Sequence, residues 1–155
     1  MEELRAAGVS CAMVPGVTAA SGAAAAAGVS LTDRRLGSSL VFLTAQRCKG
    51  NPPPNWKAVA ELGGTTAIYM PGGHENDLAR QLLDAGLGPE TPCFVVANAS
   101  RSNEHVVETT LSGLSALDRL PAPKILLIGT APGPTRMAPS AVKKAGKSAD
   151  VHKKT

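Results

Sequence analysis

Four short apolar runs, each cut off by glycine, proline or polar residues, constrain this chain more than anything else in it. Leu40 to Leu43, Thr65 to Met70, Cys93 to Ala97 and Ile125 to Ile128 are four to six residues long. Runs of that length without strict alternation suit strands buried on both faces. Segments with helical signals lie between them. Glu2 to Ala7 reads as the end of a helix stopped by Gly8. Thr18 or Ser21 is placed to open the next helix, whose body is the run Ala23 to Ala27 and whose end is Gly28. Asn55 is placed to cap a helix reaching Leu62, after a proline-stiffened loop from Asn51 to Pro54. A helix from His74 to Ala85 carries Leu78, Leu82 and Leu83 on one face, with Gly86 after it. Val9 to Val14 reads as a further strand. Glu104 to Thr110 alternates and is expected to pair with Cys93 to Ala97. Leu111 to Leu120 reads as a short amphipathic helix. Strands alternating with helices over short loops predict an α/β fold, with a mixed five-stranded sheet flanked by helices.

Composition narrows the function classes. A chain of 155 residues supports one domain of ordinary size. With 43% apolar but only 3% aromatic residues, its core is built from Ala, Val, Leu and Ile, and it lacks a stacking platform for single-stranded nucleic acid. The formal charge of +4 is unevenly placed. Residues 1–132 hold 10 basic and 11 acidic side chains, whereas residues 133–155 hold 6 basic and 1 acidic. The basic end has no aromatic or apolar periodicity and reads as a solvated tail rather than a nucleic-acid or membrane surface. Cys11, Cys48 and Cys93 show no metal or disulfide spacing, nor do His74, His105 and His152, so no metal is expected. No segment has the order of a signal peptide, and a reducing cytoplasm is the expected compartment.

In open α/β sheets, ligands bind beyond the carboxyl ends of strands. Here those ends are small or flexible: Val14 to Ala19, Thr44 to Gln46, Tyr69 to Gly73, Ala97 to Arg101 and Gly129 to Pro132. Small side chains let backbone groups approach a ligand closely. The dinucleotide, P-loop and nucleophile-elbow patterns are absent, and no catalytic acid–base pair stands out. The residues alone therefore reach a small-ligand-binding α/β domain.

Taken in order, these loops resemble one family. Val14-Pro15-Gly16-Val17-Thr18-Ala19-Ala20-Ser21-Gly22, followed by Gly28-Val29-Ser30-Leu31-Thr32-Asp33-Arg34, is similar to the V-P-G-[VI]-T-A-A-x-G…G-[IV]-P-L-T-H-R segment of uroporphyrinogen-III C-methyltransferases, members of the tetrapyrrole methylase family. Ser39 to Thr44, Ile68-Tyr69-Met70, Ala85-Gly86-Leu87, Pro92 to Val96, Asn98-Ala99-Ser100-Arg101, Thr109-Thr110-Leu111 and Ile128-Gly129 follow in the family's order, so the likeness covers residues 1–131.

The resemblance implies two α/β domains with S-adenosylmethionine between them. It implies methylation of uroporphyrinogen III at carbons 2 and 7 to precorrin-2, on the way to sirohaem and cobalamin, in a homodimer that engages neither nucleic acid nor membrane. By match, the cofactor-binding residues are Thr18, Ala19, Met70 and Ala99, with Pro15 and Gly16 shaping the cleft loop. Gly129, Thr130 and Ala131 are the matched end of the last cofactor-side strand. No catalytic residue is implied among them. Residues 1–28 correspond to the end of the first domain and an interdomain helix, 29–131 to the second domain, and 132–155 to a basic tail expected to be disordered. Asp33 replaces the family's His, Thr44-Ala45-Gln46 its T-G-H, and Pro71 the Gly after Tyr-Met. The family's Gly-Gly-Asp-Pro loop would precede residue 1, so this chain is expected to carry about half of a cofactor site. The alternatives are another methyltransferase of the same superfamily, or a non-catalytic binding or dimerisation module.

Overall fold

A computed structural model describes residues 1–34, 37–46, 50 and 52–129. Five strands, β1 (Leu40–Thr44), β2 (Thr65–Tyr69), β3 (Pro92–Ala97), β4 (His105–Thr110) and β5 (Lys124–Ile128), form one mixed sheet in the order β1-β2-β5-β3-β4. Strands β1 and β2 run parallel, β5 runs antiparallel to both β2 and β3, and β4 runs antiparallel to β3. The carboxyl ends of β1, β2 and β3 therefore share one edge of the sheet, and β5 begins there.

The sheet is covered differently on its two faces. On one lies α2 (Ala19–Ala27), which buries Ala20, Ala23, Ala24 and Ala27. That i, i+3, i+4, i+7 spacing makes a single helical stripe, and methyl-sized side chains bring the helix close to Ala67, Phe94, Val96, Ile125 and Leu127. On the other face α4 (Glu75–Asp84) sets Leu78, Ala79 and Leu82 against Ile68, Val95, Leu126 and Ile128, with Leu111 and Leu114 closing the layer. The central strands are buried on both faces because both layers are apolar, which is why they read as continuous apolar runs. The short α3 (Trp56–Leu62) begins as expected at Asn55, whose Oδ1 accepts from the Ala58 N–H at 3.1 Å. α2 closes at Gly28 in the left-handed conformation.

Two expectations are corrected. Val9 to Val14 is not a strand. Residues 9–17 are exposed, follow the short α1 (Glu2–Ala6), and have no ladder partner among the described residues. Apolar character alone does not make a strand when no neighbour takes up its backbone groups. Leu111 to Leu120 is not an amphipathic α-helix but a 3-10 turn over Ser112–Ala116, ending at Leu117. There the Gly113 N–H donates to Thr110 Oγ1 at 3.2 Å and the Ser115 hydroxyl to the Ser112 carbonyl at 3.0 Å, local bonds that compete with the α-helical pattern. The tail from 132 lies outside the described residues.

Candidate functional site

The site grows from what happens to the backbone where β2 and β3 end. Met70 follows β2 with φ of +49°, and Asn98 and Ser100 follow β3 with φ of +52° and +64°. L-residues seldom take this conformation, which costs on the order of 1–3 kcal/mol at each position and persists only when surrounding structure imposes it. At β3 the surroundings are plain. The Asn98 N–H donates to the Pro123 carbonyl at 2.9 Å, and the Ser100 N–H to Glu104 Oε2 at 2.6 Å. The Arg101 N–H closes the turn on the Asn98 carbonyl at 3.0 Å. Asn98 itself is buried.

The amino end of α2 meets the same edge. Thr18 takes the capping position without a side-chain bond to its own helix. The Tyr69 hydroxyl at the end of β2 accepts from the Ala20 N–H at 3.3 Å and is hydrogen-bonded to Thr18 Oγ1. A side chain from the sheet thus satisfies one of the helix's otherwise unpaired donors and pins α2 beside the β2 and β3 turns. Between them lies a cavity of about 410 Å³, lined by Thr18, Ala19, Gly22, Tyr69, Met70, Asn98, Ala99 and Ser100 among others. That volume falls within the range of ~300–1,000 Å³ usual for small-molecule sites. Gly22, Ala19 and Ala99 keep the space open, and Val96 and Ile125 form apolar wall.

The structure therefore brings Thr18, Ala19, Met70 and Ala99 to one cavity from three separate parts of the chain. Pro15 and Gly16 lie in the exposed segment before α2 and do not line it. Gly129 is corrected outright. Because β5 runs antiparallel to β2 and β3, its carboxyl end reaches the opposite edge of the sheet. There the Gly129 N–H donates to the Pro92 carbonyl at 2.9 Å, and a side chain at this position would run into the Gly64 carbonyl. The match to the cofactor-side strand ends treats β5 as parallel to β2 and β3; the reversed strand moves its terminus to the far side. Thr130 and Ala131 lie outside the described residues. Sequence reasoning missed Tyr69, whose signal was its position as the chain's single tyrosine at a strand end, and Lys124. Lys124 is buried at the cavity wall, paired with Glu75, and donates to the Leu120 carbonyl at 3.4 Å.

Two larger cavities adjoin this one. One of about 600 Å³ lies toward Trp56, His74 and Gln81; another of about 630 Å³ lies between Pro71-Gly72-Gly73 and the Arg119 to Lys124 segment. Met70 lines all three. Among the described residues, no group of three or more His, Cys, Asp or Glu could hold a metal ion, and no helix is long and apolar enough to cross a membrane.

Comparison with known proteins fits this arrangement. Residues 1–115 match the family of Tetrapyrrole (Corrin/Porphyrin) Methylases. This chain belongs to that family. It is 39% identical over 130 residues to a siroheme synthase from Psychromonas ingrahamii, covering 83% of this chain and 28% of that protein. It is 41% identical over 133 residues to one from Gluconacetobacter diazotrophicus, again covering 83% and 28%. Among solved structures, a cobalt precorrin-4 methyltransferase superimposes with a TM-score of 0.70 at 26% identity, covering 83% of this chain and 55% of that one. A uroporphyrin-III C-methyltransferase from Thermus thermophilus complexed with S-adenosylhomocysteine superimposes with a TM-score of 0.69 at 26% identity, covering 81% and 55%. The methylase chain thus spans little more than a quarter of these curated relatives and about half of the solved enzymes.

Proposed function

We infer that this chain is the cofactor-facing C-terminal part of an S-adenosylmethionine-dependent uroporphyrinogen-III C-methyltransferase, forming precorrin-2 by methylation at carbons 2 and 7. One observation carries the reading. In a member of the methylase family, the four residues matched to cofactor contacts line a single cavity at the carboxyl edge of three strands. The residues present fit the cofactor: small side chains at Ala19, Gly22 and Ala99 leave width, and Met70, Val96 and Tyr69 offer apolar wall for a purine and a thioether. S-adenosylmethionine supplies an electrophilic methyl group, so the protein needs neither a metal nor a nucleophilic side chain. Tyr69 fixes Thr18 and the start of α2, and the bonds at Asn98 and Ser100 fix the turn that carries Ala99. Holding donor and acceptor in line is worth up to ~7–11 kcal/mol in ideal cases. Exposed Met13, Val14 and Val17 offer apolar surface on which a preceding domain would close the cleft. Sirohaem and cobalamin synthesis, a cytoplasmic location and a homodimeric assembly belong to the same proposal.

The near-equal likeness to a cobalt precorrin-4 methyltransferase supports a second reading, in which a different tetrapyrrole is methylated. Calorimetric titration of the chain with S-adenosylhomocysteine tests both. Binding that is weak beside that of a two-domain methylase, and absent in Ala99→Leu, supports the cofactor site. Equal heats in parent and variant would refute it. Methyl transfer by a two-domain enzyme containing this chain, with uroporphyrinogen III against a cobalt precorrin as acceptor, separates the two substrates.

A further inference from the structure

The 630 Å³ cavity shares Met70, Pro123 and Lys124 with the cofactor cavity, so an occupant there would adjoin whatever lies against Met70. Its lining is mostly apolar, with Gln46, Arg119 and Lys124 as its polar side chains among the described residues. Met70, Pro71, Leu120 and Pro121 present hydrocarbon, and among the described residues the charged side chains lining it are Arg119 and Lys124. Lys124 is already neutralised by Glu75. Arg119 has no ion pair among the described residues, whereas Lys57 pairs with Glu61 at 4.0 Å and Arg80 with Asp77 at 2.8 Å. Gly73 gives the guanidinium its place. A Cβ there would sit 3.1 Å from an Arg119 terminal nitrogen, so the absence of a side chain lets Arg119 lie along the backbone at the cavity rim.

An apolar floor with one uncompensated guanidinium at its edge is complementary to an apolar macrocycle bearing carboxylate arms. Guanidinium binds carboxylate in a planar, two-pronged geometry. We propose that this cavity takes the rim of the tetrapyrrole, with one of its carboxylate arms on Arg119 and the ring edge on Met70 and Pro121. The proposal rests on the methylase reading and adds to it a substrate-positioning residue outside the matched motifs.

The test uses the chain itself, with uroporphyrin III as the probe, followed by porphyrin fluorescence. Arg119→Gln should weaken uroporphyrin binding about tenfold, the loss of one charge-assisted contact. Arg119→Lys should recover part of it, and S-adenosylhomocysteine affinity by calorimetry should not change. Lys57→Gln, which removes a cation remote from the cavity, should leave uroporphyrin binding unchanged. Equal binding by parent and Arg119→Gln would overturn the proposal, as would a comparable loss in Lys57→Gln, which would mean attraction by charge alone. No porphyrin binding by a parent that binds S-adenosylhomocysteine would overturn the subsite and leave the methylase reading standing. Failure to bind either would remove both.

Discussion

At one edge of the sheet Gly64 and Gly129 both take φ of +76°; at the other, Met70, Asn98 and Ser100 take +49°, +52° and +64° with side chains attached. The first edge is a packing problem. Gly64 lies against the Ser39 carbonyl, Gly37 against Gly64, and Gly129 against the Gly64 carbonyl, so backbone meets backbone with no room for Cβ. Glycine meets that demand at little strain. At the second edge nothing forces close approach: Met70 is 53% exposed and the turns open on cavities. Here the left-handed backbone is carried by residues whose side chains line a cavity. The same conformation thus accompanies tight backbone packing at one end of the strands and an open cavity at the other.

Gly64→Ala should have the largest effect. It adds a methyl group into the Ser39 backbone at a strained φ, and a loss of at least ~3 kcal/mol is expected from the urea midpoint. A loss below ~1 kcal/mol would mean the far edge is loose and the contrast false. Ala99→Leu is its counterpart at the cavity edge. Stability should stay within about 1 kcal/mol, since the residue is in a half-buried turn, while S-adenosylhomocysteine affinity should fall at least tenfold by overlap in the cavity.

Cys93 reports on the packed edge through pH. It is fully buried near the start of β3, one residue from the Pro92 carbonyl that receives Gly129, and burial pushes its thiol up to about 12. The unfolded chain loses this proton near pH 9, before the folded one does. The thiol's contribution is therefore whole below pH 9 and is lost as pH rises toward 12. Urea midpoints that fall over that range in the parent, and fall less in Cys93→Ala, would sharpen the contrast. In native conditions an alkylating reagent should modify exposed Cys11 and spare Cys93. The smallest effect is expected of Met70→Gly. Relief of the φ of +49° offsets the entropy of glycine, leaving stability unchanged within about 1 kcal/mol, while ligand affinity falls modestly with the lost wall. A marked destabilisation would mean Met70 is held by packing rather than by function.

The strands were legible because burial on both faces writes itself as unbroken apolar runs, as at Cys93 to Ala97. The gathering of Thr18, Met70 and Ala99 was legible too, since β2 and β3 run parallel and α2 is pinned beside them. Strand direction was not. Nothing in Lys124 to Ile128 says that β5 enters the sheet reversed, and Gly129 was misplaced by that one unknown. Val9 to Val14 has a strand's composition but no partner among the described residues, and pairing is a property of two segments. The Gly113 turn was decided by Thr and Ser hydroxyls against a weak helical pattern. Arg119 carried no motif; its meaning comes from Gly73, far away in the sequence, leaving a place for it.

The central claim is that ligand binding belongs to the carboxyl edge of β2 and β3 and not to the glycine edge. Backbone amide NMR of the chain titrated with S-adenosylhomocysteine tests it even at weak affinity. The account predicts shifts concentrated at Thr18 to Gly22, Tyr69 to Met70 and Asn98 to Arg101, with Gly37, Gly64 and Gly129 unmoved. Shifts centred on Gly64 and Gly129, or none at saturating ligand, would contradict it.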